Sequence, residues 1–177
     1  ILQMLTRLCS GPYDAVPSAI GCVATEPLPA DLKSEFEAEF DIDLYETYGL
    51  SETLFITTEY PGFSNTDSGV GAPLPESDIT IQPDGEVTVS SPWLLLEYAN
   101  RQHYPVREGK FFTGDVGRFD GDELVITGRK KDLIIRNGIN ISPTRIEGVL
   151  EEQDGITEAA VVGQSTDEIG EVVVALL

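Results

Sequence analysis

The segment at residues 48–52 reads Tyr-Gly-Leu-Ser-Glu, which places a ring, a glycine, a hydroxyl and a carboxylate close together. A glycine lets the backbone approach a ligand, a hydroxyl can bond a phosphate oxygen, and a carboxylate can hold the Mg²⁺ that accompanies a nucleotide. The segment directly follows a strand predicted at residues 42–45. Taken alone, the same residues also fit a turn with a helix cap.

Two later segments carry groups of a similar kind. Thr113-Gly114-Asp115 precedes a predicted hairpin, and an Asp held rigidly after a strand can accept both hydroxyls of a ribose. Residues 128–132 contain three of the 11 basic residues of a chain with 31 acidic ones. These cations could meet a phosphate or a ribose. Gly-Asp is also an ordinary turn sequence, and a basic run is also typical of a solvated surface.

An amphipathic helix with flanking strands is predicted in the first third of the chain. Apolar residues recur at every fourth position from Leu32 to Phe40 between charged residues, which predicts a helix over residues 30–40. Strands are predicted at residues 20–24 and 42–45. A strand, a helix and a strand in succession indicate an α/β fold.

From Gly69 onward the hydropathy pattern changes to short alternating apolar runs, which predict a small antiparallel sheet or a distorted barrel. Turn sequences at residues 83–85 and 120–122 lie between such runs, as β-hairpins require. The pattern in the last part of the chain predicts a segment that contains both a helix and strands. Its elements are an apolar run at 133–135, a loop at 137–140, a helix with Ser142 as N-cap and Pro143 at its first position, and strands at 159–162 and 172–176.

The composition disfavours several classes of function. The formal net charge is −20, so the field of the protein repels nucleic acids and anionic membranes. No apolar run approaches the ~20 residues that span a bilayer and no signal peptide is recognisable, which predicts a cytoplasmic protein without a membrane span. Cys9, Cys22 and His103 form no pattern of a zinc site or of a Ser-His or Cys-His hydrolase.

The order and spacing of the segments carry a resemblance to a known family. The series is Ala-Thr-Glu-Pro at residues 24–27, the segment at 48–52, Gly-Val-Gly-Ala-Pro-Leu-Pro at 69–75, Phe-Thr-Gly-Asp at 112–115 and the run from Gly128 to Glu147. It resembles the adenylate-forming superfamily of acyl-CoA synthetases, luciferases and adenylation domains. The tail is most similar to fatty-acid and aryl-acid CoA ligases, which implies a place in fatty acid metabolism.

The resemblance implies a fold class of α/β plus a β-rich subdomain. Residues 1–68 would be the α/β end of the large AMP-binding domain, and residues 69–129 would be its β-rich, distorted-barrel subdomain. Residues 130–177 would be the first half of a small, mobile α+β C-terminal domain.

The resemblance also implies a reaction in two steps. A carboxylate attacks the α-phosphate of ATP, in the presence of Mg²⁺, to give an acyl-adenylate and pyrophosphate, and the thiol of coenzyme A then displaces AMP. The implied partners are a small carboxylic acid, ATP and CoA. An adenylation domain that loads a carrier protein, or a non-catalytic nucleotide-binding or interaction remnant, stays open as an alternative. The oligomeric state is not predicted.

The family's motifs imply residues around the base. Thr25, Glu26 and Pro27 would line the adenine with backbone groups. Tyr48 would stack on the adenine, and Gly49 would let the backbone approach the nucleotide.

The same motifs imply residues around the phosphates and the sugar. Ser51 would bond a phosphate and Glu52 would ligate Mg²⁺, so that both take part in catalysis. Asp115 would bind the ribose hydroxyls, with Arg129 beside it.

The implied mobile domain would begin at a hinge at Lys131, and the loop at Gly138 would approach CoA in the second step. Two motifs of the family are missing from these 177 residues: a phosphate loop with its Lys, expected before Ile1, and a late catalytic Lys, expected after Leu177. Both ends of the sequence are apolar. We therefore expect a fragment of a longer protein that does not adenylate by itself.

The acidity predicts a high-salt environment. ATP, pyrophosphate and CoA are anions, so a protein of charge −20 repels them unless salt screens the field. The Debye length falls from ~10 Å at 0.1 M salt to ~3 Å at 1 M. A halophilic source is our hypothesis, and an acidic protein from an ordinary environment is the alternative.

Overall fold

The structure is a computed structural model that describes residues 20–24, 28–63, 69–98, 105–166 and 170–177. The chain divides into two compact units. Unit 1 takes the described residues within Ile1–Asp78, Val89–Tyr104 and Phe119–Val125, and unit 2 takes those within Ile79–Thr88, Pro105–Arg118 and Ile126–Leu177. The predictions made for Cys9, Thr25, Glu26, Pro27 and His103 lie outside the described residues.

Unit 1 contains the predicted strand, helix and strand. Strand β1 (Ile20–Val23) pairs in parallel with β2 (Asp43–Leu50), and helix α1 (Ala30–Phe40) connects them. The helix buries Phe36 against Leu44 of β2, because its apolar positions share one face. This confirms the α/β prediction for the first third of the chain.

Strand β2 is longer than predicted. It pairs antiparallel with β3 (Leu54–Thr58), and β3 pairs with β4 (Ala72–Pro73), so the four strands form one sheet in the order β1-β2-β3-β4. The segment at residues 48–52 therefore occupies the last positions of β2 and the turn after it, rather than following a strand that ends at residue 45. The extension depends on pairing with β3, which a local pattern does not show.

Both predicted β-hairpins are present. Their strands belong to one five-stranded sheet in the order β5-β6-β8-β7, with β9 paired to β8. The strands are β5 (Asp78–Ile81), β6 (Glu86–Ser90), β7 (Val106–Arg107), β8 (Lys110–Asp120) and β9 (Glu123–Arg129). Gly85, with φ 86°, and Gly121, with φ 60°, lie between the paired strands, where positive φ favours glycine.

The last part of unit 2 is a second sheet with one helix. The elements are a short 3₁₀ helix (Lys130–Asp132), β10 (Ile134–Arg136), β11 (Ile139–Ile141), α2 (Pro143–Glu151), β12 (Ala160–Thr166) and β13 (Gly170–Leu176). The sheet order is β11-β10-β13-β12. Asn137 and Gly138 form the two-residue turn between β10 and β11, and both have positive φ (50° and 77°), as the favoured hairpin turns require.

The start of α2 corrects one detail of the sequence prediction. Ser142 is at the N-cap position and Pro143 is the first helical residue, both as predicted, but the Ser142 side chain makes no capping hydrogen bond. Its hydroxyl instead donates to the carbonyl oxygen of Thr127 at 2.6 Å. Ser142 therefore ties the helix start to the end of β9.

The helices are short. Among the described residues, α1 has 11 residues and α2 has 9, and none of the helices has the length and apolar content to cross a membrane. Helix α1 packs against β2, and helix α2 packs against β12.

Candidate functional site

Gly49 gives room to a neighbouring strand. A Cβ built at this position would lie 1.9 Å from the carbonyl oxygen of Leu54, so only glycine fits. The register of β2 against β3 shifts between Tyr48 and Gly49, so the ladder is irregular at this point. The space opened by the missing side chain is thus occupied by β3, which corrects the reasoning that the glycine makes room for a ligand.

Thr53 fixes the turn that carries Ser51 and Glu52. Its side chain is fully buried, and its hydroxyl accepts from the backbone N–H of Leu50 at 3.0 Å and donates to the carbonyl oxygen of Leu54 at 2.9 Å. Leu54 leaves the turn with φ 55°, a left-handed conformation that costs a non-glycine residue about 1–2 kcal/mol. A strand follows, so the alternative of a helix cap is wrong. Thr53 was not predicted, because a single Thr in a turn carries no signal in the sequence.

Glu52 is held by the segment that follows β6. The phenol of Tyr98 donates to Oε1 of Glu52 at 2.6 Å, and the backbone N–H of Leu95 donates to the carbonyl oxygen of Glu52 at 2.7 Å. Glu52 is half-buried, and no Lys or Arg within the described residues forms an ion pair with it. Its negative charge is therefore not neutralised by a side chain of that part of the chain.

Asp115 lies inside β8, in unit 2, rather than after a strand as predicted. The hydroxyl of Thr113 accepts from the backbone N–H of Asp115 at 3.0 Å and donates to the carbonyl oxygen of Val87 at 2.8 Å. Gly114 between them has φ 75°, which only glycine adopts without strain. Asp115 is 5% exposed. The carboxylate is thus rigidly placed, although by cross-strand pairing and not by a strand end.

Arg129 and Lys130 bind three carboxylates in unit 2, one at Arg129 and two at Lys130. Nε of Arg129 lies 3.2 Å from Oδ1 of Asp115, which places the predicted pair together. Nζ of Lys130 lies 2.6 Å from Oε2 of Glu86 and 2.7 Å from Oδ2 of Asp84. These contacts lower the pKa of the Asp84 carboxyl and raise the pKa of Lys130, first through their mutual hydrogen bond. Neither Glu86 nor Asp84 was predicted from the sequence.

A cavity of about 620 Å³ lies beside this group in unit 2. Its walls include Glu86, Arg107, Phe112, Gly114 and Lys130. Arg107 is placed over the Phe112 ring, 5.3 Å from its centroid. The walls carry charged groups of both signs. Neither Asp115 nor Arg129 is among the lining residues, so the cavity is distinct from that ion pair.

The remaining predicted residues are placed as follows. Tyr48 is half-buried in β2 of unit 1, whereas Lys131 is exposed in the 3₁₀ helix and Gly138 is exposed in the β10–β11 turn of unit 2. The structure thus brings Tyr48 and Glu52 into one sheet and its following turn, and it joins Asp115 with Arg129 in the other unit.

The donor set around Glu52 fits a nucleotide-bound cation better than a metal held by protein alone. Within the described residues, no three His, Cys, Asp or Glu side chains are grouped so that they could hold a metal ion. Mg²⁺ commonly uses one or two carboxylates and completes its shell with phosphates and water. A single half-buried carboxylate, with no cationic partner in the described part of the chain, suits that arrangement.

A second charged group in unit 1 surrounds Glu59. Nζ of Lys33 lies 2.9 Å from Oε2 of Glu59, and the backbone N–H of Glu46 donates to the same oxygen at 2.9 Å. Burial is the main cause that raises the pKa of Glu46 to about 6; the charges of Glu59 and Glu123 act in the same direction, and Lys33 opposes them. No sequence signal predicted this group.

Comparison with known proteins gives relatives along the whole chain. No family model matches the sequence. The chain is 34% identical to 2-succinylbenzoate–CoA ligase of Bacillus mycoides (strain KBAB4), over 100% of this chain and 40% of the relative. It is 33% identical to long-chain-fatty-acid–CoA ligase of Bacillus subtilis (strain 168), over 85% of this chain and 30% of the relative. The chain thus spans less than half the length of the curated relatives it matches.

Solved structures give the same picture. The fold is similar to o-succinylbenzoate CoA synthetase (MenE) of Bacillus subtilis, at 29% identity over 98% of this chain. The complex with the acyl-adenylate intermediate OSB-AMP gives a TM-score of 0.80 and is covered to 38%. The complex with ATP and magnesium ion gives a TM-score of 0.79 and is covered to 39%.

Proposed function

Because this chain belongs to the adenylate-forming superfamily, as a homologue of its acid–CoA ligases, we propose that it is the part of such a ligase that holds the nucleoside and the magnesium ion. The whole enzyme activates a carboxylic acid with ATP and transfers the acyl group to CoA. The relatives named for 2-succinylbenzoate and for long-chain fatty acids match at 34% and 33% identity. Because relatives named for two different acids match almost equally well, the proposed substrate is a carboxylic acid and no single acid is proposed.

The observation that carries the proposal is the fixed carboxylate of Asp115. It is 5% exposed, its backbone is held by Thr113 and Gly114, and Arg129 compensates its charge at 3.2 Å. A carboxylate held in this way can accept hydrogen bonds from two neighbouring hydroxyls of a ribose. In the proposal Asp115 binds the ribose and Arg129 lies beside it.

The rest of the nucleotide would contact unit 1. Tyr48 stacks on the adenine and Ser51, exposed in the turn, bonds a phosphate oxygen. Glu52 would hold Mg²⁺, and the ion would supply positive charge that stabilises the negative charge on the α-phosphate. The rigid turn at Thr53 supports this role, because a preorganised donor set stabilises the transition state without reorganising. Thr25, Glu26 and Pro27 complete the base site in the proposal.

The CoA step would use the last part of the chain. In the proposal Lys131 is the hinge of a mobile domain that spans residues 130–177, and the exposed turn at Gly138 approaches CoA. Residues 1–68 and 69–129 then belong to the large domain. The names of the relatives favour CoA over a carrier-protein thiol as the acceptor.

Calorimetric titration with AMP tests the ribose assignment. We expect the 177-residue chain to bind AMP and the Asp115→Ala variant to lose detectable binding, since two hydrogen bonds to a charged acceptor disappear. Asp122→Ala is the matched control, because Asp122 is exposed in the turn after β8. Equal dissociation constants for the wild type and Asp115→Ala would remove Asp115 from the site.

Pyrophosphate exchange tests the predicted inactivity of the chain by itself. The phosphate loop and the late Lys are missing from these 177 residues, so we expect no exchange of labelled pyrophosphate into ATP above background. Robust exchange would show that the chain adenylates without those motifs.

A further inference from the structure

The Glu52 carboxylate has a short hydrogen bond that no part of the proposed reaction uses. The phenol oxygen of Tyr98 lies 2.6 Å from Oε1, within the short range typical of a hydrogen bond to an ionised acceptor. The two residues are 46 positions apart in sequence and both belong to unit 1. The contact is partly buried, so water competes with it less than at an open surface.

The segment of Tyr98 is attached to Glu52 at a second point. The backbone N–H of Leu95 donates to the carbonyl oxygen of Glu52 at 2.7 Å. The turn with Glu52 is itself fixed by the buried Thr53. With the backbone held on both sides and Oε1 committed to the phenol, the rotation of the carboxylate is restricted, and Oε2 has no hydrogen-bond partner within the described residues.

A phenol orients a carboxylate without neutralising it. A Lys or Arg in the same place would cancel the negative charge and weaken the attraction to an added cation, whereas a neutral O–H donor leaves that charge in place. Partners that orient metal ligands in this way commonly change metal affinity or activity by 10–100-fold when they are removed.

We propose that Tyr98 is a positioning residue for Glu52, which aims Oε2 at a divalent cation bound to nucleotide phosphates. This inference rests on the proposed role of Glu52 as a metal ligand. It adds the residue that sets the direction of the ligand, and it makes the segment around residues 95–98 a part of the magnesium site.

The test compares ATP binding to the 177-residue chain by calorimetry in excess MgCl₂ and in EDTA. The ratio of the two dissociation constants measures the contribution of the metal. For Tyr98→Phe, which removes only the hydroxyl, we expect the magnesium-dependent gain in affinity to fall about tenfold, with metal-free binding unchanged. Tyr60→Phe is the matched control, because it also removes one hydroxyl and Tyr60 is 52% exposed in the same unit.

Glu52→Gln distinguishes a failure of the Glu52 assignment from a failure of the Tyr98 assignment. We expect this variant to lose the magnesium-dependent gain, and the double variant with Tyr98→Phe to lose no more, because both changes act through one ligand. If the wild type has no magnesium-dependent gain in ATP affinity, or if Glu52→Gln keeps that gain, the proposed role of Glu52 is wrong. The inference about Tyr98 is then wrong as well. If Glu52→Gln loses the gain and Tyr98→Phe retains it in full, Glu52 stays a ligand and Tyr98 does not position it. Circular dichroism of each variant checks that the fold is kept.

Discussion

Nζ of Lys130 lies 2.6 Å from Oε2 of Glu86, and the other oxygen of the same carboxylate accepts from the backbone N–H of Gly114 at 3.1 Å. One buried side chain therefore joins the middle of β8 to the start of the 3₁₀ helix. The residues next to these two, Asp115 and Arg129, form a second link at 3.2 Å. The glycine-containing segment of β8 and the end of β9 are thus fastened at two adjacent points.

Lys130→Met should destabilise the chain. The change leaves the buried Glu86 carboxylate, 6% exposed, without its cation, and since Lys130 itself is half exposed we expect a loss of about 1 kcal/mol in the free energy of unfolding. Urea denaturation measures it. Lys131→Met removes the same charge from the exposed neighbouring position and should leave the urea midpoint nearly unchanged. Equal shifts for both variants would mean that the effect is one of net charge.

Glu46→Gln should change how stability depends on pH. Burial raises the folded pKa of Glu46 to about 6 from an ordinary 4.5, so the folded state binds its proton more tightly than the unfolded state does. The stability from this group is fully present below pH 4.5 and is lost as the pH rises through 6. Glu46→Gln should remove that loss and raise the free energy of unfolding at pH 7.5 by roughly 1 kcal/mol, after allowance for solvent screening of a half-buried group.

The control for Glu46 is Glu39→Gln, which makes the same change of charge at an exposed position of α1. Urea denaturation at several pH values between 4.5 and 7.5 compares the three proteins. A pH profile of Glu46→Gln that is parallel to those of the wild type and of Glu39→Gln would contradict the raised pKa.

Two glycine substitutions should act in opposite directions. Gly114 has φ 75° and open space where a Cβ would stand, so Gly114→Ala meets only the cost of the left-handed backbone, about 1–2 kcal/mol. Gly148 also has open space but lies inside α2, so Gly148→Ala should stabilise the chain by about 0.5–1 kcal/mol. Thermal unfolding of both variants reads out the two signs. Stabilisation by Gly114→Ala would argue against the backbone conformation at Gly114.

Salt should stabilise the folded chain. A net charge of −20 repels itself more strongly in the compact state, and at ~1 M salt the Debye length of ~3 Å screens most of that repulsion. We expect the urea midpoint to rise steadily with KCl up to molar concentrations. Sucrose at matched osmolality separates screening from general exclusion effects. A urea midpoint that does not change with KCl concentration would count against the halophilic hypothesis.

Local patterns in the sequence were enough to predict most of the elements. Apolar positions on one face gave α1, and the turn residues at 83–85 and 120–122 gave the two hairpins. A turn after β10 was also indicated, although the loop predicted at residues 137–140 is shorter in the structure, where Ile139–Ile141 form β11. Each of these features is decided within a few residues, so a pattern can report it.

The contacts that shape the site depend on residues far apart in sequence. Tyr98 reaches Glu52 across 46 positions, and Lys130 reaches Glu86 across 44. No periodicity or motif encodes such pairs, because any exposed Tyr or Lys would look the same in the sequence. The last positions of β2 were missed for a related reason, since their strand conformation depends on pairing with β3.

Leu54 closes the turn of Glu52 in a left-handed conformation, with φ 55°, although its side chain is 60% exposed and contributes little to the core. A glycine would relax the backbone at this position at small loss of buried surface. The same exchange would also widen the range of shapes open to the turn, so that the direction of the neighbouring carboxylate would become less sharply defined. The leucine therefore lowers the folding stability somewhat but restricts the direction of the Glu52 carboxylate, where a cation would bind.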